Sequence, residues 1–193
     1  MLDRMYSHTS SGDLTEPSNY RPKVFVSVIS KLFTSILTDR LLSWSEDEDT
    51  LKNNQFGFRS GKSTIDAIFT IQCIISHQLE NKEKRFCAFV DFRKAFDKVD
   101  RKIIMYKLMK NGINSKFVSI IKSVYASVQL RIRSGGIISG AFDNQLGVKQ
   151  IEPMSPLLFL FFINDIIHNI SANTNDNIVS LDVYFYLFDF VRR

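Results

Sequence analysis

The sequence predicts an α+β domain, and three patterns support this fold class. Apolar residues recur at helical spacing from Val26 to Trp44, which predicts a helix. Phe86–Phe92 is a short, almost wholly apolar run that predicts a buried strand. Val128–Arg133 and Ile137–Phe142 flank Gly135-Gly136, a pattern typical of a β-hairpin. We therefore expect helices first and a small mixed sheet in the second half.

The composition limits the classes of protein to which the chain can belong. Its 193 residues are enough for one domain with a real core, and 45% hydrophobic content excludes a disordered chain. No run approaches the roughly 18 apolar residues of a membrane span, so no membrane partner is expected. The N-terminus lacks the apolar segment of a secretory leader, and the two cysteines do not suggest a disulfide framework, so an intracellular location is expected. A net charge of +5 is compatible with an anionic partner.

The next two helices have recognisable ends. Ser63 and Asp66 resemble a capping box that begins a helix reaching about Asn81, and its predicted apolar stripe includes Ile65, Phe69 and Leu79. Asp100 is expected to cap a helix that Gly112 ends. Both helices should therefore begin at the residues that cap them.

The rest of the chain divides into further elements and loops. Ser115–Ser127 and Pro156–Ile170 are predicted to be helices, and Val179–Phe188 a strand beside Phe86–Phe92. Residues 1–20 are polar and predicted to be rich in turns, and Ser45–Thr50 is predicted to be a solvated loop.

Asp91 is the most informative single residue. A carboxylate inside a buried apolar strand is costly unless a metal, a cation or a cleft at the strand end compensates it. On spacing alone, such an aspartate is more often a cap or an ion-pair partner than a functional group.

Four sequence blocks that occur in the same order as the motifs of a known family change that interpretation of Asp91. AFVDFRKAFDKVD (Ala88–Asp100) resembles the first palm motif of reverse transcriptases from non-LTR, LINE-like retrotransposons. The block that opens the domain of that family resembles GDLTEPSNYRP (Gly12–Pro22). Its fingers block resembles NQFGFRSGKSTIDAI (Asn54–Ile68). The block that lines its nucleotide and template pocket resembles GVKQIEPMSPLLFLFFIND (Gly147–Asp165). A collinear match over residues 12–165 makes the resemblance highly specific.

The resemblance implies the fingers–palm portion of a right-hand polymerase fold, with the thumb absent. Residues 1–20 would be an N-terminal segment, 21–85 a fingers-like helical region, and 86–193 a palm truncated at the second catalytic motif. The implied activity is addition of deoxynucleotides to a DNA primer on an RNA template by two-metal phosphoryl transfer with Mg²⁺. The implied partners are the RNA template, the DNA primer and deoxynucleoside triphosphates.

The resemblance also assigns roles to individual residues. Asp91 matches the first of three metal-binding aspartates, and the main-chain carbonyl of Phe92 is placed to add an oxygen. Phe96 matches the residue that stacks under the sugar and excludes a 2′-hydroxyl. Arg59 and Lys62 would contact the triphosphate. Without the motif, Phe96 would be one more core phenylalanine, and the two cations ordinary surface charges.

Further residues of these blocks receive other roles. Gln150 matches the pocket glutamine near the incoming nucleotide. Asp97 is expected to make a structural hydrogen bond, and Asn164 and Asp165 are expected to be structural.

The chain departs from the family pattern at two places. The Tyr/Phe-Ala-Asp-Asp turn should fall within Tyr186–Val191, where Asp189 is the one candidate metal ligand, and Asp182 lies too far upstream. In the pocket block, Ile151 replaces a glycine, and Glu152 is expected to place a negative charge near the triphosphate. Both changes oppose substrate binding and catalysis.

Four hypotheses follow. The chain is an active polymerase domain, a catalytically dead retrotransposon remnant that at most binds nucleic acid, or a relict whose product barely folds. An intron-encoded reverse transcriptase or maturase is the alternative within the family, although the NYRP and IND sequences favour the retrotransposon branch. The damaged aspartate turn leads us to expect little or no activity.

Overall fold

A computed structural model describes residues 2–9, 15, 20–53, 55–82, 92, 94–126, 128–134, 136–149 and 152–166. The chain forms two compact units. The first unit comprises Met1–Glu48 with Lys94–Phe162, and the second comprises Asp49–Arg93 with Ile163–Arg193. The predicted strands over 86–91 and 179–188 lie outside the described residues, and the division into N-terminal, fingers and palm segments stays a prediction.

The first unit contains a five-stranded mixed sheet. Its strands are β1 (Leu2–Thr9), β2 (Tyr20–Phe25), β3 (Gln129–Ser134), β4 (Ile137–Ile138) and β5 (Phe142–Asp143). β1 is antiparallel to β2 and parallel to β3, and both β4 and β5 are antiparallel to β3. The pairing of Arg133 with Ile138 confirms the predicted hairpin.

The prediction that residues 1–20 are turn-rich is wrong for β1, and the sheet is not confined to the second half. Leu2 lies opposite Gln129 in the parallel pairing with β3. β1 thus pairs with the nearby β2 and also with β3, a strand far away in sequence, and strand formation depends strongly on such context. Local composition could not indicate it.

Five helices and one 3₁₀ helix (Ala95–Lys98) complete the described elements. The helices are α1 (Val28–Asp47), α2 (Thr64–Glu80), α3 (Arg101–Lys110), α4 (Ser115–Ala126) and α5 (Met154–Ile163). Among the described residues, no helix has the length and apolar content needed to cross a bilayer.

The capped helix starts are confirmed. The amide of Asp66 donates to the Ser63 hydroxyl at 3.2 Å, and the amide of Ser63 donates to the Asp66 carboxylate at 2.8 Å, which completes the capping box of α2. The Asp100 carboxylate accepts from the amide of Lys102 at 2.7 Å at the start of α3, and Gly112 follows that helix at φ +92°.

The predicted solvated loop at Ser45–Thr50 is wrong over its first half, because α1 continues to Asp47. Ser45 is fully buried, and its hydroxyl donates to the carbonyl of Leu42 at 2.8 Å. A serine bonded back to its own helix keeps its polar group satisfied, so it can be buried where the acidic composition predicts exposure.

The first unit has an apolar core centred on α5. That helix begins two residues before the predicted start at Pro156, and it is apolar on every side, as expected for a fully buried helix. Helices α3 and α4 and strand β3 also contribute buried side chains, among them Ile104, Leu108, Ile121 and Leu130.

Helix α2 of the second unit buries the face opposite to the predicted one. Its predicted apolar stripe includes Ile65, Phe69 and Leu79, which are 77%, 65% and 72% exposed. Ala67, on the opposite face, is the buried residue of this helix. Periodicity failed here because α2 carries apolar residues on both faces.

Candidate functional site

Two segments that are far apart in sequence pair through their backbones in the first unit. The amide of Gly147 donates to the carbonyl of Val99 at 2.8 Å, and the amide of Val148 donates to the carbonyl of Phe96 at 2.9 Å. The end of the predicted first palm motif therefore lies directly against the start of the predicted pocket block.

Gly147 makes this close approach possible. Its φ is +76°, in the left-handed region that favours glycine. A Cβ at this position would lie 2.8 Å from the carbonyl oxygens of both Phe96 and Asp97, closer than non-bonded atoms tolerate. Because those atoms are backbone, a side chain could be accommodated only if the two segments separated.

Arg101, the first residue of α3, hydrogen-bonds to the loop that contains Gly147. Its guanidinium donates to the carbonyls of Gly147 and Asn144, both at 2.7 Å, and to that of Leu146 at 3.1 Å. It also lies over the ring of Tyr125, 5.1 Å from the centroid. Burial lowers the pKa of Arg101 below its usual value, while Tyr125 and Glu152 act in the opposite direction.

Sequence reasoning missed Arg101, although a signal was present. A cation in the first turn of a helix opposes the helix dipole, so an arginine there suggests that other groups hold it. The carbonyls of Asn144, Leu146 and Gly147 are those groups.

Tyr125 also belongs to a buried polar network with Lys149, Glu152 and Ser155. The Tyr125 hydroxyl donates to the Glu152 carboxylate at 2.7 Å, and the Ser155 hydroxyl donates to the carbonyl of Lys149 at 2.5 Å. All four residues are at most 5% exposed. Burial, and then the charge of Glu152, raise the pKa of Tyr125 well above its usual 10.0.

This network corrects the prediction for Glu152. That side chain is 3% exposed and accepts a hydrogen bond from Tyr125, so it does not place a charge on a substrate surface. A carboxylate can be buried in this way when a hydrogen-bond donor comes with it. Tyr125 is 27 residues away in sequence, so the partner could not be identified from the motif.

Phe96 and Phe92 differ in their surroundings. The half-buried ring of Phe96 lies 4.9 Å from that of Phe159, centroid to centroid, with the planes tilted by 32°. This packing agrees with the core role considered for Phe96 and also fixes its ring. Phe92 is exposed. Their roles beside a nucleotide stay predictions.

The two predicted triphosphate contacts lie in the second unit. Arg59 is 7% exposed, so the alternative that it is an ordinary surface charge is wrong. Its guanidinium donates to the carbonyls of Leu51 and Lys52 at 3.3 and 2.8 Å, which closes the loop that leads to α2. Lys62 donates to the carbonyl of Asn53. Contact of either cation with a triphosphate stays a prediction.

The structural role predicted for Asn164 is confirmed. Its side-chain amide donates to the carbonyl of Thr50 at 2.8 Å, and its side-chain oxygen accepts from the amide of Lys52 at 3.3 Å. These two hydrogen bonds join Asn164, near the end of the predicted pocket block, to the backbone of Thr50 and Lys52.

The predicted metal ligands Asp91 and Asp189 and the pocket residue Gln150 lie outside the described residues. Within the described ranges, no group of three His, Cys, Asp or Glu side chains comes close enough to hold a metal ion. The described residues alone therefore do not fit a metal site, and the assignment of Asp91 and Asp189 stays a prediction.

Comparisons with known proteins identify the family. The family described as reverse transcriptase (RNA-dependent DNA polymerase) matches residues 10–191. The probable RNA-directed DNA polymerase from transposon X-element of Drosophila melanogaster is 29% identical over 150 residues, which cover 78% of this chain and 16% of the relative. The RNA-directed DNA polymerase from mobile element jockey of the same fly is 25% identical over 158 residues, or 82% of this chain and 17% of the relative.

A third relative comes from a beetle. The retrovirus-related Pol polyprotein from type-1 retrotransposable element R2 of Popillia japonica is 29% identical over 162 residues, or 83% of this chain and 22% of the relative. The chain thus spans less than a quarter of each of these relatives. These matches confirm the resemblance to non-LTR retrotransposon enzymes, and the chain belongs to the reverse transcriptase family.

Proposed function

We propose that the chain is the fingers–palm part of a non-LTR reverse transcriptase domain, whose parent enzyme extends a DNA primer on an RNA template. The observation that supports this most directly is the pairing of Phe96 and Val99 with Val148 and Gly147. In the sequence, Asp91 precedes Phe96 by five residues and Gln150 follows Val148 by two. A polymerase needs both residue types at one nucleotide.

The proposed roles of the chain's own residues follow from their chemistry. Phe96, held by Phe159, would support the sugar and exclude a 2′-hydroxyl by its bulk. Gln150 would contact the incoming nucleotide, and Arg59 and Lys62 its triphosphate. These contacts would bind and orient the substrate.

Reverse transcriptases generally use divalent metal ions. We propose Asp91, the carbonyl of Phe92, and Asp189 as oxygen ligands of Mg²⁺, which would activate the primer hydroxyl and neutralise phosphate charge. Two ions need several converging carboxylates, and the chain offers a single aspartate in its second motif. This donor set is incomplete for two-metal catalysis.

We propose that the chain has therefore lost most catalytic activity. Removing one transition-state stabilising group typically costs about 3–4 kcal/mol, or on the order of 10²–10³ in rate. Purified protein should give no detectable extension of oligo(dT) on poly(rA) with Mg²⁺. Extension that Asp91→Asn abolishes would contradict this expectation, whereas extension that survives Asp91→Asn would come from a contaminating polymerase.

A repaired variant tests the polymerase assignment itself. Phe188→Ala combined with Phe190→Asp rebuilds an Ala-Asp-Asp sequence around Asp189. We expect this variant to gain extension that depends on Asp91, with Phe188→Ala alone as the matched control. A folded, repaired variant that still shows no extension would count against a competent palm in this chain.

The second candidate function is nucleic-acid binding without catalysis. It is favoured because the pairing of Gly147 with Val99 is intact while the second aspartate motif is reduced. In that case the protein should bind a primer–template without extending it, with affinity that falls steeply as salt rises. Salt-independent binding would contradict contacts to the phosphate backbone.

A further inference from the structure

One stretch of the first unit is strongly basic. From Arg101 to Phe142 the chain carries eight lysines and arginines and no aspartate or glutamate, although the net charge of the whole chain is only +5. The other residues together are therefore net negative. This stretch includes α3, α4, β3 and β4.

An open groove of about 850 Å³ lies along α3 and α4 of this stretch and is also lined by residues 143–145, just beyond it. Arg101, Lys102 and Lys122 line it, and Asp143 is the one acidic side chain among the lining residues that the structure describes. The guanidinium of Arg101 is engaged by loop carbonyls. The exposed Lys102 and Lys122 therefore supply the charge that a ligand can reach.

The groove also offers an aromatic surface and neutral polar groups. Tyr106 lines it and is 61% exposed, so its ring is accessible for stacking. Ser119, Gln129 and Gln145 line it as well. Their hydroxyl and amide groups can both donate and accept hydrogen bonds.

We propose that this groove binds single-stranded RNA. Lysines recognise phosphates, an exposed aromatic ring stacks on unpaired bases, and hydroxyl and amide groups can contact the 2′-hydroxyl that distinguishes RNA from DNA. The three features occur together here, outside the residues proposed above for nucleotide and metal contact. The site therefore goes beyond the proposed polymerase function and would hold a separate stretch of RNA.

Binding of a labelled single-stranded RNA of about 20 nucleotides to the full chain tests this site by fluorescence anisotropy. Measurements in EDTA without primer or nucleotides keep the result independent of polymerase activity. Lys102→Gln combined with Lys122→Gln should weaken binding about 10-fold. It should also make the slope of log affinity against log salt shallower by about 1.4, because each lost contact to a single strand contributes about 0.7.

The matched control is Lys31→Gln combined with Arg40→Gln, which removes the same charge from α1 of the same unit. An equal loss of affinity in both double variants would show general charge attraction and overturn the proposal. Unchanged binding by the Lys102/Lys122 variant would also overturn it.

Tyr106 gives an independent measurement that charge alone would not affect. Tyr106→Ala should weaken RNA binding by about 10-fold through lost stacking, whereas Tyr106→Phe should retain it. The specificity for RNA predicts weaker binding of single-stranded DNA of the same sequence. Equal affinity of the two strands would overturn the assignment of RNA as the ligand.

Discussion

Two independent constraints act on Gly147. Its φ of +76° is unfavourable for residues with a side chain, and its Cα faces the backbone of Phe96 and Asp97. Gly112 has a similar φ of +92° but open space around it. Substitutions at the two glycines, when compared, therefore separate the free-energy cost of the backbone conformation from the cost of the steric clash.

We predict that Gly147→Ala destabilises the protein much more than Gly112→Ala. The left-handed conformation alone costs roughly 1–2 kcal/mol for an alanine. The clash at Gly147 should raise the loss in free energy of unfolding to about 3 kcal/mol or more. Urea unfolding followed by circular dichroism measures both values. Equal losses would mean that the paired segments separate easily.

Tyr125 predicts a pH dependence of stability. Because folding raises its pKa, the folded protein holds the phenolic proton more tightly than the unfolded chain. The associated stabilisation is complete below the unfolded pKa of 10.0 and is lost as pH rises through the folded value. Other groups titrate at high pH too, so the effect of Tyr125 must be measured as a difference between variants.

We therefore predict that the free energy of unfolding falls less between about pH 9 and pH 11 in Tyr125→Phe than in the wild type. At neutral pH the same variant should be less stable by about 1.5–3 kcal/mol, because it removes the hydrogen bond to the buried Glu152 carboxylate. Urea unfolding at each pH tests both statements. Identical pH slopes would show that Tyr125 does not titrate with folding.

Helix α3 acts on the site through its first residue. Asp100 caps the helix, and Arg101 then reaches the carbonyls of Asn144, Leu146 and Gly147. The start of one helix thereby fixes a whole loop against the predicted palm motif. A planar guanidinium presents five donors in a rigid fork that reaches several separated carbonyls, whereas the ammonium of lysine has three donors on one nitrogen and cannot span them all.

Arg101→Lys should loosen that loop while leaving α3 helical. Loss of two charged hydrogen bonds predicts a destabilisation of about 3 kcal/mol. The amides of Gly147 and Val148 should exchange with solvent at least about 10-fold faster. Hydrogen exchange read by mass spectrometry measures this, with Lys110→Arg at the exposed end of α3 as the control. Unchanged protection of both amides would show that Arg101 does not hold the loop.

Over the whole molecule, local signals predicted local structure well. Ser63, Asp66, Asp100 and Gly112 gave correct helix ends, because capping involves residues only a few positions apart. Strand β1 was missed although one partner, β2, is close in sequence; its other partner, β3, lies more than a hundred positions away. Sequence patterning carries little information about such distant partners.

In the candidate site, too, contacts between residues distant in sequence were harder to predict than local structure. Family blocks predicted that the segments containing Phe96 and Gly147 belong to one site, and their backbones do pair. The burial of Arg59 and Glu152 could not be predicted, because each is satisfied by groups that only the folded chain brings close. In both cases the charge predicted an exposed side chain, although a charged side chain can be buried when it is hydrogen-bonded.

The exposed face of α2 has a consequence for the behaviour of the purified protein. Ile65, Phe69 and Leu79 lie along it and are all more than 60% exposed. Contiguous apolar surface of this kind marks sites of association. We therefore predict that the protein self-associates as its concentration rises, measured by analytical ultracentrifugation.

Replacing two apolar residues of this face should reverse that behaviour. Burying a large apolar side chain contributes about 1.5–3 kcal/mol, so Phe69→Ser with Leu79→Ser should weaken association at least 10-fold. Gln72→Ser is the matched control, because it changes an exposed polar residue of the same helix. If the double variant associates as strongly as the control, contacts elsewhere on the molecule drive association, and the apolar face of α2 does not.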